Sequence, residues 1–231
     1  MRTRLTQAQR SEATRNACLD AAELLFAKNG YHGTGIREIA DSAALTSGGL
    51  LGAFGSKHQI MLALIERRAN DIAILRKQAF DVLVERPGIP DYSDLIFAYL
   101  DPLLDYMESG DANKIAYVQI LTQLATSPAE WYEHISKYYD HISKLYVDEL
   151  CRASPGLNRD SVASAFVFTI NCMLITSTSP VRNDVLAKDS KPTKRGIVSF
   201  NQAKYIKENR SNIRRALVAA YREFLGVAVD C

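Results

Sequence analysis

Residues 34–57 constrain the fold more than any other part of the chain. Their sequence, TGIREIADSAALTSGGLLGAFGSK, predicts two short helices joined by a tight turn. Thr34 and Thr46 are expected to cap these helices, because a threonine side chain accepts a hydrogen bond from a free amide at a helix start. The inward positions recur at helical spacing and are Ile36, Ile39, Ala40, Leu45, Leu50 and Phe54. This arrangement is typical of a helix-turn-helix, whose second helix lies in the DNA major groove.

The charge of the whole chain does not by itself indicate a nucleic-acid partner. The chain has 28 Lys and Arg residues against 26 Asp and Glu residues, which gives a net charge of +2. Binding to DNA phosphates must therefore depend on local charge. The first fifteen residues contain Arg2, Arg4, Arg10 and Arg15 against Glu12 alone. We interpret this segment as a phosphate-contacting arm that includes Arg4, and an ordinary charged terminus is the alternative.

The sequence disfavours secreted and membrane-spanning proteins. The cysteines lack any metal-binding or redox spacing, so we expect buried thiols in a reducing cytoplasm; they are Cys18, Cys151, Cys172 and Cys231. No apolar signal segment follows the N-terminal arginines, and no run of ~18 apolar residues occurs. We therefore expect a cytoplasmic protein without a membrane span.

Catalytic and metal-binding patterns do not stand out either. The histidines accompany no HExxH motif and no Cys/His cluster; they are His32, His58, His134 and His141. The glycine-rich run at residues 48–52 follows no strand, so it is a poor phosphate-binding loop. We therefore expect no enzyme activity, no cofactor and no metal site.

Helical periodicity continues along nearly the whole chain and predicts an all-α fold. We place about nine helices at residues 7–28, 36–43, 46–54, 57–86, 93–107, 112–125, 127–152, 159–177 and 201–225. Pro102 is expected to kink or break the fifth helix, and residues 179–199 to form a surface loop. We divide the chain into a three-helix head at residues 1–56 and a larger helical body at residues 57–231.

The helical body carries polar and aromatic side chains that are candidates for a ligand pocket. Arg68 interrupts the apolar stripe of the fourth helix, so it either reaches the surface or meets a ligand or carboxylate in the interior. His134 and Tyr138 share a helix face, which is either a ligand edge or a solvated surface. Asn171 lies in the most apolar helix, where it pairs across a dimer or meets a ligand. The aromatic candidates, which could equally be core residues, are Tyr99, Tyr117, Trp131, Tyr138 and Phe166.

A set of N-terminal residues, taken together, carries a family resemblance. They are Ala21-Ala22, Leu25-Phe26, Gly30-Tyr31, Thr34, Ile39-Ala40, Gly48, Leu50, Phe54 and Ser56-Lys57. With these residues at this spacing, the chain resembles the TetR family of bacterial transcriptional regulators. The matching motif covers about the first quarter of the chain. Beyond it, the resemblance is one of helix number and helix length.

The resemblance implies a DNA-binding head, a ligand-binding body and a homodimer formed by the helices at 159–177 and 201–225. Two heads would meet a palindromic double-stranded operator in successive major grooves, roughly 34–36 Å apart. A small-molecule effector, which the aromatic side chains suggest to be largely apolar, would shift the fourth helix and release the DNA. The implied function is that of a ligand-responsive repressor.

The recognition helix departs from the family pattern. The positions that usually hold a phosphate-anchoring tyrosine hold Leu51, Gly52 and Ala53, and the turn position that is often glycine holds Ala44. Gly48, Gly49 and Gly52 also weaken this helix, since each interior glycine costs about 0.8–1.0 kcal/mol relative to alanine.

Two interpretations of this head stay open. In the first, the head binds DNA, with Thr46 and Ser47 at the bases and glycines that allow close backbone approach. Thr34, Lys57 and the arginine arm would hold phosphates, and Arg37 would reach either a base or a phosphate. The DNA-contacting candidates are then Arg4, Thr34, Arg37, Thr46, Ser47, Gly48, Gly49 and Lys57. In the second, the protein is a small-molecule-binding helical dimer whose head no longer binds DNA tightly.

Overall fold

The computed structural model describes residues 6–125, 131–178 and 202–226, and within them it confirms the predicted all-α fold. The helices are α1 (Gln7–Gly33), α2 (Ile36–Ser42), α3 (Ser47–Phe54), α4 (Lys57–Val84), α5 (Tyr92–Glu108), α6 (Ala112–Ala125), α7 (Tyr132–Ala153), α8 (Arg159–Thr178) and α9 (Gln202–Leu225). Arg4, the expected start of the seventh helix at 127–130 and the expected loop at 179–199 lie outside the described residues.

The chain forms two compact units, Met1–Ala69 and Asn70–Cys231. Helix α4 begins in the first unit and continues into the second. The boundary at residues 56 and 57, which we drew from the motif, stays a prediction about where the functional parts divide. Among the helices of the described residues, none is both long enough and apolar enough to cross a membrane.

Helix α1 has a defined start and an interruption near its end. At its start, the Thr6 side chain accepts a hydrogen bond from the Gln9 amide, and the Gln9 side chain accepts one from the Thr6 amide. The backbone leaves helical geometry at Gly30, where φ is 73° and ψ is 167°, a conformation almost confined to glycine. The predicted end at Gly30 therefore marks a real break, after which one more turn runs to Gly33.

Thr34 does not cap the second helix, contrary to our prediction. The N-cap of α2 is Gly35, which makes no side-chain cap, and Thr34 is only 1% exposed. Its hydroxyl donates to the carbonyl oxygens of Gly30 (2.8 Å) and Leu25 (3.2 Å). The break at Gly30 leaves carbonyls of α1 without helical partners, and Thr34 satisfies them.

The turn between α2 and α3 has the geometry of a helix-turn-helix. Ala44 adopts a positive φ of 56°, and the Leu45 amide donates to the Ala40 carbonyl at 2.8 Å. Thr46 caps α3 as predicted, because its hydroxyl oxygen accepts from the Gly49 amide at 3.1 Å. Of the predicted inward positions, Ile39, Ala40, Leu50 and Phe54 are buried, whereas Ile36 and Leu45 are only half-buried.

A buried ion cluster joins α1 to the first part of α4. The Glu23 carboxylate is fully buried and accepts two hydrogen bonds from Arg68, at 2.8 and 2.7 Å, and one from Arg67 at 3.1 Å. Arg67 also donates to Asp20 at 2.8 Å. Of the alternatives that the sequence left open for Arg68, the structure therefore shows an interior carboxylate partner, within the N-terminal unit.

The second unit is built around α8. This helix packs against α6, α7 and α9, and α9 also packs against α5. Helix α5 continues through Pro102 without the break we considered. The lost backbone hydrogen bond at a helix-interior proline costs about 3 kcal/mol, and the long buried face of α5 offsets this cost. That face includes Leu95, Ile96, Tyr99, Leu103, Leu104 and Met107.

Candidate functional site

Apart from Leu51, which is 40% exposed, the exposed side of α3 carries little side-chain bulk. Gly48, Gly49, Gly52 and Ala53 are exposed, while Leu50 and Phe54 on the other side of α3 are buried. A Cβ atom added at Gly48 or at Gly52 would meet no heavy atom within 4 Å. The packing of the unit therefore does not require these two glycines. A smooth helix face of this kind lets another surface approach the helix backbone closely.

Positive charge lies beside this face, on the first turns of α1. A groove of about 480 Å³ is lined by Gln7, Arg10, Ser11, Thr14, Arg15 and Ala53. It joins the start of α1 to the last turn of α3. The Arg15 guanidinium lies 4.4 Å from the centroid of the Phe54 ring. Arg10 and Arg15 are therefore residues of α1, as predicted, and lie beside the last turn of α3; their contact with phosphates stays a prediction.

The other candidates for DNA contact have different surroundings. Arg37 is extended into solvent, with 90% of its side chain exposed and Asp41 3.9 Å away. Lys57 donates to the carbonyl oxygens of Tyr31 and Thr34, both at 2.9 Å, and lies 4.5 Å from the Tyr31 ring. Two of the three N–H groups of the Lys57 ammonium thus bind the backbone that follows the break at Gly30. Thr34 is buried, so its side chain has no access to an outside partner in this structure.

A cavity in the second unit lies among α4, α5, α6, α7 and α8. It has a volume of about 160 Å³ and is lined by Arg76, Tyr99, Leu103, Leu121, Ala125, Ile135, Tyr139, Ile170, Asn171 and Leu174. Most of the wall is aliphatic or aromatic, and the charged group in it is Arg76. A mainly apolar wall with a few convergent polar groups is typical of a small-molecule site.

Arg76 is buried to 2% exposure without a carboxylate beside it. Its Nε donates to the Tyr99 carbonyl at 2.8 Å, and its guanidinium carbon lies 3.6 Å from the Tyr99 ring centroid and 5.2 Å from that of Tyr139. Its own carbonyl accepts from the Tyr146 hydroxyl at 2.7 Å. Among residues 6–125, 131–178 and 202–226, no carboxylate oxygen lies within 4.0 Å of this guanidinium.

The phenols around Arg76 do not supply the missing negative charge. Burial raises the pKa of Tyr139 and that of Tyr146 well above the usual range for tyrosine, so both are neutral at pH 7. The hydroxyls of Tyr117 and Tyr139 share a hydrogen bond of 2.8 Å, and those of Tyr99 and Ser143 share one of 2.7 Å. These phenols thus share hydrogen bonds with other hydroxyls, and no carboxylate of the described residues pairs with the guanidinium of Arg76.

The ligand-pocket candidates from the sequence are only partly brought together. Tyr99 and Asn171 line the cavity, and Tyr117 and Phe166 touch its lining through Tyr139 and Tyr99. Trp131 and His134 pack against each other, with ring centroids 6.3 Å apart, but are not part of the lining. Tyr138 is half-exposed beside Lys137. Arg68 belongs to the Glu23 cluster and does not line the cavity.

Sequence reasoning missed Arg76 and Tyr139, although the register of their helices carried a signal. Arg76 is four residues from Ile72 and four from Phe80, both of which are buried. Leu75, the neighbour of Arg76, is exposed, so the buried side of α4 passes through Arg76. In α7, Tyr139 is buried, whereas the sequence pattern singled out its neighbour Tyr138 as a candidate.

A second cavity, of about 260 Å³, lies elsewhere in this unit. It is lined by Tyr92, Ala153, Ser154, Pro155, Leu157, Tyr221, Arg222, Leu225 and Gly226. The rings of Tyr92 and Tyr221 stack with centroids 5.9 Å apart. Burial raises the pKa of Tyr221 to about 12. Within the described part of the chain, no three His, Cys, Asp or Glu side chains are grouped so that they could hold a metal ion.

Two sequence-family models match the chain. The model described as bacterial regulatory proteins of the tetR family matches residues 19–64, and the model described as the tetracyclin repressor-like C-terminal domain matches residues 97–199. The first match contains the helix-turn-helix, and the second contains most of the wall of the 160 Å³ cavity. One match lies in each compact unit.

Individual relatives agree with these matches. An uncharacterized HTH-type transcriptional regulator from the lacX 3′ region of Lactococcus lactis subsp. lactis is 33% identical over 104 residues. That match spans 45% of this chain and about half (48%) of the relative's length.

Two solved structures share the fold at low sequence identity. A protein assigned to the tetR family of transcription regulators, from Shewanella sp. PV-4, has a TM-score of 0.57 at 20% identity, over 90% of this chain and 95% of that one. The fatty acid degradation regulator FadR from Bacillus halodurans has a TM-score of 0.57 at 12% identity, over 94% and 97% of the two chains.

Proposed function

Because the chain belongs to the TetR family of bacterial transcriptional regulators, we propose that it is a ligand-responsive repressor. It binds a palindromic operator as a homodimer, and a small-molecule effector releases it. It acts in the cytoplasm, without a membrane partner, and catalyses no reaction. The N-terminal unit is the DNA-binding part and the C-terminal unit binds the effector and forms the dimer.

The observation that carries the DNA-binding proposal is the exposed face of α3. Thr46 fixes the start of this helix, and its first residues, Ser47, Gly48 and Gly49, lie at the end that enters the groove in helix-turn-helix complexes. Arg10 and Arg15 supply positive charge beside the other end of α3. In such complexes, phosphate contacts of this kind set the position of the helix and base contacts set the sequence preference.

The test is direct DNA binding. Full-length protein is titrated onto labelled DNA from the region upstream of its own gene, and onto a shuffled fragment of the same composition, at low and at physiological salt. Specific regulators prefer their sites by about 10³-fold or more, so a large preference that persists at physiological salt is expected. Equal affinity for both fragments at both salt concentrations would overturn the proposal.

A second candidate function is a small-molecule-binding dimer whose head no longer binds DNA tightly. The exposed residues late in α3, Leu51, Gly52 and Ala53, favour it because they offer no side-chain hydrogen-bond donor to a phosphate. Under this alternative, the upstream fragment would show no preference while the C-terminal unit still bound its effector. The same titration therefore separates the two functions.

Exposed apolar side chains on α8 and α9 support the homodimer. They are Val167, Phe168, Ile175 and Phe224. Contiguous apolar surface of this kind marks an interaction site, and the rings of Phe168 and Phe224 lie only 5.4 Å apart. Helix α8 is apolar on most faces, as expected for a helix covered by a second subunit.

Analytical ultracentrifugation tests this interface. Val167 is 54% exposed, so Val167→Glu should leave each protomer folded and shift the protein from dimer to monomer. The matched control is Ile89→Glu, an exposed apolar residue between α4 and α5, which should leave the mass unchanged. A wild-type monomer at micromolar concentration would contradict the dimer.

A further inference from the structure

We propose that the effector is a small monocarboxylate whose carboxylate binds the guanidinium of Arg76. The inference rests on the proposed effector-binding role of the C-terminal unit and names the chemical class of the ligand. It modifies the expectation of a largely apolar effector, because the apolar body would carry one acidic group.

The first argument is the contrast between Arg76 and three partly buried arginines that have carboxylate partners. Arg67 and Arg68 bind Glu23, and Arg210 binds the acidic residues of α5 at 2.6 to 3.1 Å. Arg76 is more buried than any of these three. A buried guanidinium is costly unless an anion pairs with it. A bound carboxylate would supply that anion when the effector is present.

The second argument is the set of donors that Arg76 leaves available. A guanidinium has five N–H groups, and of these the Nε–H is used on the Tyr99 carbonyl. The Tyr99 ring packs at 3.6 Å against the guanidinium. The Nη groups, at the edge of the plane, make no hydrogen bond to a described residue, and Arg76 lines the cavity. Carboxylates bind arginine through such an edge, often with two parallel hydrogen bonds.

The third argument is the size and charge of the cavity. Its volume of about 160 Å³ is close to that of an engineered apolar cavity of ~150 Å³ that binds benzene. A ligand body of one ring or one short branched chain therefore fits this space. Arg76 is the one Lys, Arg or His among the lining residues. A single cation fits a ligand with one negative charge better than a doubly charged phosphate monoester. Asn171 offers a further amide in the same wall.

Benzoate and benzamide are suitable probes, because they have the same shape and differ in charge. Calorimetric titration of each into purified full-length protein, without DNA, should show benzoate binding at least about tenfold more tightly than benzamide. Arg76→Met should weaken the binding of benzoate by at least about tenfold and leave the affinity for benzamide within about twofold of the wild-type value. Arg76→Lys keeps the positive charge but loses the planar N–H donors that can form two parallel hydrogen bonds, so it should bind benzoate with intermediate affinity.

Arg214→Met is the matched control. Arg214 also packs on an aromatic ring, 3.8 Å from the Phe97 centroid, but it does not line the cavity. This variant should bind benzoate as the wild type does. Circular dichroism and benzamide binding report whether Arg76→Met is folded. If it is not, the benzoate-to-benzamide ratio of the wild type and of Arg76→Lys decides the question.

Three results would overturn the inference: equal affinities of the wild type for the two probes, undiminished benzoate binding by folded Arg76→Met, or no benzoate binding at about 10 mM. If any of them occurs while the upstream DNA is still bound selectively, only the ligand class is wrong. If benzoate binds through Arg76 and the DNA shows no preference, the repressor proposal fails and the ligand assignment stands.

Discussion

Glu23 shows how a single buried charge can decide the stability of the N-terminal unit. Its carboxylate is completely buried and is bound by Arg67 and Arg68. Glu23→Ala leaves both guanidinium groups without this partner, and breaking a buried ion pair in this way costs about 3–5 kcal/mol. Amide hydrogen exchange in α1–α3 should report this loss.

The control for Glu23 is its neighbour in the same cluster. Asp20 binds Arg67 at 2.8 Å but is 53% exposed, so Asp20→Ala should cost less than about 1 kcal/mol. Similar losses of stability for the two variants would show that burial of Glu23 is not the source of its contribution to the stability of the N-terminal unit.

Ala44 is a residue whose backbone conformation suits glycine better. Its φ of 56° is unfavourable for a residue with a Cβ atom by about 1–2 kcal/mol. Ala44→Gly relieves this strain but adds freedom to the unfolded chain. A net gain of about 1 kcal/mol in the stability of the N-terminal unit is therefore expected in hydrogen exchange.

The adjacent alanine provides the comparison for Ala44. Ala43 has a φ of −87°, so Ala43→Gly relieves no strain and should lower stability by up to about 1 kcal/mol. An equal effect of the two substitutions would mean that the positive φ at Ala44 carries no penalty.

Single residues were the hardest features to predict from the sequence. Arg68 and Arg76 both interrupt the apolar pattern of α4, yet one pairs with Glu23 and the other lies in a cavity without a carboxylate. Their partners are far away in sequence, so helical periodicity gives the face of the helix but not what that face meets. Thr34 was misassigned for the same reason, since its acceptors belong to the preceding helix.

At the scale of the element, we expect the glycines of α3 to lower the stability of this helix while allowing close approach of DNA. Gly48 and Gly52 are both exposed with open space around them, so alanine at either site should stabilise the helix by about 0.8–1.0 kcal/mol. Gly48 lies at the N-terminal end of α3, which is the end that enters the groove in helix-turn-helix complexes. Gly48→Ala should therefore weaken operator binding, whereas Gly52→Ala should not.

This comparison uses one chemical change at two positions of one helix. DNA titrations at a fixed salt concentration give the affinities, and hydrogen exchange gives the stabilities. If both variants bind the operator as tightly as the wild type, close approach of DNA at Gly48 is excluded.

The bounds of the helices were largely predictable, because caps and turns are local. The Thr46 cap and the break at Gly30 were visible in the sequence and are present in the structure. Tyr139 of α7 was missed, since tyrosines stand at both 138 and 139 and either satisfies the apolar period. Pro102 was misleading because tertiary packing of α5 outweighs its local cost.

At the scale of the whole molecule, the helix-turn-helix motif carried most of the functional information. A quarter of the chain was enough to identify the family, because DNA recognition requires a particular spacing of caps and core residues. The proposed effector site could not be predicted in this way. Its wall combines residues from five helices, and none of them has a local pattern that indicates a ligand.

The central claim is that two copies of α3 read one palindromic site, and nuclease footprinting on the gene's upstream DNA tests it most directly. The full-length protein should protect two inverted half-sites whose centres lie one helical turn apart, about 34–36 Å, or a multiple of that distance. Val167→Glu should lose this paired protection at the same concentration. Absence of any protected region, or protection of a single half-site by a monomer, would contradict the account.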